Sequence, residues 1–83
     1  MRTNKSMVVE MLATYGAMTS RQIAVQIHNK LGATLTPAQV AGAIRPLIAQ
    51  GKAGSSKDEH NQTRYWIEDS YKKEVLKSGD FSL

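Results

Sequence analysis

Carboxylates and an imidazole stand side by side at one point of the chain, Asp58-Glu59-His60. A general acid and base could be drawn from such a trio, but catalysis needs groups held rigidly by packed neighbours, with a nucleophile or oxyanion donors beside them. Here the trio lies inside Ser56-Lys57-Asp58-Glu59-His60-Asn61-Gln62, a run with no apolar residue to pack it. Catalysis is not expected, and the chain reads as a non-enzyme. The two histidines, His28 and His60, lie far apart in sequence and there is no cysteine. Neither histidine has a partner at metal-ligand spacing, so neither a metal nor a cofactor is expected. Disulfides, thiolate zinc sites and cysteine nucleophiles are excluded with the cysteines.

What remains is electrostatic chemistry. The 83 residues carry 11 Lys+Arg against 7 Asp+Glu, a formal charge of +4. The acids fall at Glu10 or between Asp58 and Asp80, so residues 11–57 hold no acid at all, only the five cations Arg21, Lys30, Arg45, Lys52 and Lys57. This asymmetry points to an anionic partner, nucleic acid first, against the plainer reading that a small basic protein stays soluble this way.

The elements that must position these charges follow from spacing. Met7, Val8, Met11, Leu12 and Tyr15 recur on one helical face, which predicts a helix from about Asn4 to Tyr15, capped by Thr3 or Asn4 and stopped at Gly16. Thr19-Ser20-Arg21-Gln22 has the form of a capping box and starts a second helix, whose stripe is Ile23, Ala24, Ile27 and Leu31 and whose stop is Gly32. His28 flanks that stripe. Thr36-Pro37-Ala38-Gln39 repeats the device, with proline at the first helical position. The third helix buries Val40, Ile44, Leu47 and Ile48 and stops at Gly51, with a kink or loosening expected near residues 42–46 because Pro46 removes a ladder hydrogen bond. Two helices joined by so short a turn have the outline of a helix-turn-helix.

Beyond Gly51 the period changes. Lys52–Ser55 and Thr63–Ile67 read as strands flanking an exposed polar loop, and Asp69 or Ser70 caps a last short helix through about Lys77. The fold class is α+β, mainly α with a small β-hairpin: one domain over residues 1–77, with a flexible tail at 78–83. No stretch approaches the roughly 18 apolar residues that cross a bilayer, and Glu10 interrupts Met7-Val8-Val9 too early for a signal peptide. A mature cytoplasmic protein is the expectation.

Helix, short strand, helix, tight turn, helix and hairpin is the order of the winged helix-turn-helix. The chain resembles that family over residues 4–67, through Tyr15-Gly16-Ala17-Met18-Thr19-Ser20-Arg21-Gln22-Ile23-Ala24, the Val40 to Gly51 helix and the Thr63-Arg64-Tyr65-Trp66-Ile67 strand. Small stand-alone bacterial, plasmid and phage transcription regulators look like this, which implies such an origin, a three-helix core with a two-stranded wing and short C-terminal helix, and double-stranded DNA as partner. In that family the third helix enters the major groove and the hairpin reaches a neighbouring groove or the phosphates. Carried onto this sequence, Gln39 and Arg45 are the base readers: Gln can pair with adenine N6 and N7, and Arg with guanine O6 and N7. Arg21, Thr36, Lys52, Lys57 and Arg64 are the expected backbone contacts. Ala38, Gly42 and Ala49 leave most of the outer face small and chemically mute, a surface that would also suit another protein, and the acid-free stretch would equally support sequence-indifferent binding to DNA or RNA. Asp58 and Glu59 at the loop tip would oppose phosphates.

Trp66 alternates with Tyr65 and Ile67 and so faces away from them. With Tyr71 and Val75 it is either a candidate interface for a homodimer or is covered by the last helix.

Overall fold

Three threonines open three helices by one device. The computed structural model describes residues 3–78, and in it Thr3, Thr19 and Thr36 are extended residues whose hydroxyls accept the backbone N–H of Ser6, Gln22 and Gln39. In return Ser6 Oγ, Gln22 Oε1 and Gln39 Oε1 accept the threonine N–H at 2.9, 3.0 and 2.9 Å. Two amides that would otherwise lack partners are thus paired at each start. The helices are α1 (Asn4–Tyr15), α2 (Ser20–Leu31), α3 (Pro37–Ala49) and α4 (Asp69–Ser78). Asp69 lies in the first turn of α4 rather than ahead of it.

Gly51 ends α3 with φ +74°, while its N–H bonds to the Ile48 carbonyl and that of Lys52 to the Leu47 carbonyl. This pair of bonds is the Schellman closure, and it needs a residue tolerant of left-handed φ. The helix runs through Pro46 without a break. The predicted loosening does not interrupt it, because Gly42 and Pro46 both lie on the exposed side, where water can serve the Gly42 carbonyl that Pro46 leaves without a donor.

The strands β1 (Met18–Thr19), β2 (Ala53–Lys57) and β3 (Thr63–Ile67) form one antiparallel sheet in the order β1-β3-β2. It has one strand more than the two-stranded wing. Opposite Met18 lies Tyr65 and opposite Thr19 lies Arg64, so the wing is hydrogen-bonded to the segment that starts α2. Strand β2 is shifted from the predicted Lys52–Ser55. Lys52 is used in closing α3, and Ala53, the first residue short and apolar enough for the core, pairs with Ile67. Lys57 therefore belongs to the strand.

The core joins Val8, Val9 and Leu12 of α1, Ile23 and Ile27 of α2, Val40, Ile44 and Leu47 of α3, and Val75 of α4, all essentially inaccessible. Ile67 closes it from the sheet with Tyr65 packed against it. Tyr71 and Val75 are 2% and 0% exposed. They are corrected from interface candidates to core residues: α4 lays its apolar stripe on this chain's own core, leaving Leu76 half exposed. Of the predicted tail, 79–83 lies outside the described residues. Among those described, no helix is long and apolar enough to cross a membrane.

Candidate nucleic-acid interface

Between Pro37 and Ala49, α3 carries two polar side chains, Gln39 and Arg45. At 3.6 residues per turn they stand about 120° apart around the helix and about 9 Å apart along it. Ala38, Gly42, Pro46 and Ala49 fill the arc between them, and all six are exposed, while Val40, Ile44 and Leu47 are buried opposite. A methyl group added at Gly42 would meet nothing within 4 Å. The face is a smooth stripe with one polar side chain at each margin and the Gly42 carbonyl, left without a donor by Pro46, between them.

The two margins differ in how free they are. Gln39 already accepts the Thr36 N–H through Oε1, and its own N–H bonds to the Thr36 hydroxyl at 3.1 Å. Its amide Nε2 and the second lone pair of Oε1 remain uncommitted by the cap. Arg45, by contrast, has no ion pair among the described residues, nor have Arg21, Lys30 and Lys57.

Two expected phosphate contacts have partners inside the molecule. Arg64 Nε lies 3.3 Å from Asp58 Oδ2, and the Lys52 ammonium lies 5.1 Å from the centroid of the Tyr71 ring, within cation–π range. Asp58 is the organiser of the wing loop rather than a charge thrust at phosphates. Its Oδ1 accepts the N–H groups of His60 and Gln62 at 2.9 and 3.0 Å, and its own N–H bonds to the Gln62 carbonyl. Asn61 supplies the left-handed residue of the turn at φ +61°. The Gln62 N–H does most to hold the Asp58 carboxyl below the ordinary aspartate range, opposed by desolvation and reinforced by the His60 N–H and by Arg64. Glu59 and His60 remain at the tip, 3.6 Å apart and largely solvated.

The β1–β3 pairing brings α2 and the wing to a common groove of about 320 Å³ lined by Thr19, Ser20, Arg21, Gln62, Thr63 and Tyr65. Arg21 also borders a more apolar groove of about 360 Å³ between α2 and the start of α3, where Val25 is 51% exposed. Among the described residues, no group of three metal-ligating side chains converges anywhere.

Trp66 does face away from the core, but it is not bare. Its Nε1 donates to Glu68 Oε1 at 3.0 Å, and its ring covers Gly54 on the neighbouring strand. Glu68 lies two residues on, facing the same way, whereas Gly54 is a partner only through the β2–β3 register. The Asp58–Arg64 pair is missed because it exists only once the hairpin is aligned, whereas β1 is the short strand that the family's element order implies.

No family model and no curated protein matches the sequence. Solved structures do. A transcriptional regulator from Clostridium thermocellum superposes with a TM-score of 0.73 at 18% identity, over 92% of this chain and 76% of that one. PadR of Bacillus subtilis, solved in complex with operator DNA, gives 0.75 at 19% identity, over 94% of this chain and 47% of that one. A MarR-family regulator from Neisseria meningitidis gives 0.69 at 21% identity, over 95% and 53%. This chain thus spans about half the length of the PadR and MarR-family chains. With its capped helices, its tight α2–α3 connection and its three-stranded sheet matched over nine-tenths of its length, the chain has the winged helix-turn-helix fold.

Proposed function

We propose that the chain binds double-stranded DNA and regulates transcription by occupancy, with α3 in the major groove and the hairpin as wing. The observation that carries this reading is Arg45: the sole charge on α3, solvent-exposed, with no ion pair among the described residues, within a span from residue 11 to 57 that holds no acid. A smooth arc beside it allows the helix backbone to approach base edges. Arg21 and Lys57, also without ion pairs among the described residues, would neutralise phosphates from α2 and the wing, and the Thr36 hydroxyl would contact one at the start of α3. Arg64 and Lys52 would have to leave or share their internal partners, so they are weaker contributors. Similarity to a PadR structure that holds operator DNA supports the same reading.

Two copies on adjacent half-sites would present two α3 helices about one turn apart. Leu76 on α4, with Tyr15 and Val25, is one of three large apolar side chains left about half exposed that would be open to contact between them. Sedimentation with and without DNA tests this, and a monomer under both conditions speaks against it.

The decisive experiment is fluorescence anisotropy on a labelled duplex across a salt series. Binding that falls steeply with salt, and that Arg45→Ala weakens, supports the proposal. Unchanged affinity in Arg45→Ala favours the rival, in which the smooth arc of Ala38, Gly42 and Ala49 docks another protein.

A further inference from the structure

We infer that the main-chain carbonyl of Gly42 is a base-reading group, accepting a hydrogen bond from the exocyclic amine of an adenine or cytosine when α3 lies in the major groove. This rests on the DNA-binding reading of α3 and deepens it to one contact and the group on DNA that meets it.

The oxygen is exposed by the residues around it. An α-helical carbonyl is ordinarily paired with the N–H four residues on. For Gly42 that residue is Pro46, which has none. The helix nevertheless continues through both residues, so the oxygen keeps a fixed place on its surface. Gly42 has no side chain to shield it, and the space where a Cβ would stand is open. Gly42, Arg45, Pro46 and Ala49 are surface neighbours on the helix, and all four are exposed. The oxygen therefore lies within the arc that the DNA-binding reading turns towards the base edges.

In the free chain water can serve this carbonyl. Seating α3 in the groove displaces that water, and an acceptor buried without a donor carries its full desolvation penalty. The base edges of the major groove offer two kinds of donor, the N6 amine of adenine and the N4 amine of cytosine, while guanine and thymine present only acceptors there. An amine facing Gly42 is thus selected. Turning that base pair round would set O6 or O4 against the carbonyl, acceptor against acceptor. Arg45 stands three residues on, without an ion pair among the described residues, and supplies donors beside this acceptor. Together they fit a guanine, read by Arg45 at N7 and O6, with an amine next to it on Gly42.

The test couples a protein change to a base change. The full chain's preferred duplex is selected from a random pool, and its adenines and cytosines are replaced one at a time by purine and 2-pyrimidinone, which lack the exocyclic amine. Pro46→Ala restores the N–H that pairs with the Gly42 carbonyl and favours the helix, which a circular dichroism melt verifies. At one base pair, removing the amine is expected to weaken wild-type binding about fivefold or more. At the same pair Pro46→Ala is expected to lose less than about twofold. Weaker pairing within the altered duplex affects both proteins alike, so the difference between them isolates the contact. Equal sensitivity of the two proteins at every pair overturns the inference. So does a folded Pro46→Ala chain that binds no duplex, since withdrawing one acceptor would not abolish binding. Wild-type binding that converges on no sequence overturns it while leaving the DNA-binding reading intact, and failure of the wild type to bind any duplex overturns both.

Discussion

The indole of Trp66 covers Gly54 across the β2–β3 ladder so closely that a Cβ placed on Gly54 would stand 2.5 Å from ring atom Cζ2. The glycine is required here for space, since its φ is not in the left-handed region. Gly54→Ala must displace the ring and strain its bond to Glu68. Overpacking of this kind costs roughly 1–3 kcal/mol. Thermal unfolding should show the loss, and a red shift in the emission of this sole tryptophan should show that the ring has moved into water.

Gly42 predicts the reverse. It is exposed inside α3 with open space where a methyl would go. Gly42→Ala should raise stability by about 0.5–1 kcal/mol, the helix-propensity difference. Gly42→Leu should fold equally well but weaken duplex binding, because its side chain would stand in the middle of the smooth arc. Circular dichroism melts and anisotropy on the same variants separate the two effects.

The capping threonines should not be equivalent. Thr19 is 8% exposed, whereas Thr36 is exposed at the surface. Replacing a capping threonine by alanine costs typically about 1 kcal/mol. Thr19→Ala should cost more than Thr36→Ala, since the Gln22 N–H left behind is partly shielded from water and the Gln39 N–H is not. Denaturant unfolding of both variants measures the difference.

The wing loop should be sensitive to acid. The Asp58 carboxyl is held below its ordinary range, chiefly by the Gln62 N–H. The stability this lends is fully present above the ordinary aspartate range and is lost as pH falls through the lowered folded value. Amide resonances of His60 and Gln62 should report that transition at a pH below the usual aspartate one. Asp58→Asn should abolish it.

The helices were legible in the sequence because their signals are local. Thr19 with Gln22, Thr36 with Gln39, and Gly32 and Gly51 each announce an end within a few residues, and the five residues predicted on the outer face of α3, Ala38, Gln39, Gly42, Arg45 and Ala49, are all exposed. The α1 start was half legible, since Ser6 returns the bond where the pattern asks for a longer side chain. The sheet was less so. The β2 sequence Ala-Gly-Ser-Ser-Lys has little strand preference of its own and is held by its register with β3. At the interface, the type of chemistry was readable but not its availability. Gln39 carried two signals, cap and reader, and the structure gives one lone pair of its oxygen to the cap. Arg64 and Lys52 proved to have partners, Asp58 and Tyr71, brought near only by the folded hairpin and by the docking of α4.

Whether α3 and the wing meet DNA is decided by an NMR titration of isotope-labelled chain with a 20-base-pair duplex, at low and near-physiological salt. Groove binding through α3 should give amide shifts centred on residues 36–50, on Arg21 and on the hairpin, fading as salt rises. An absence of shifts at low salt, or shifts confined to α4, would contradict it.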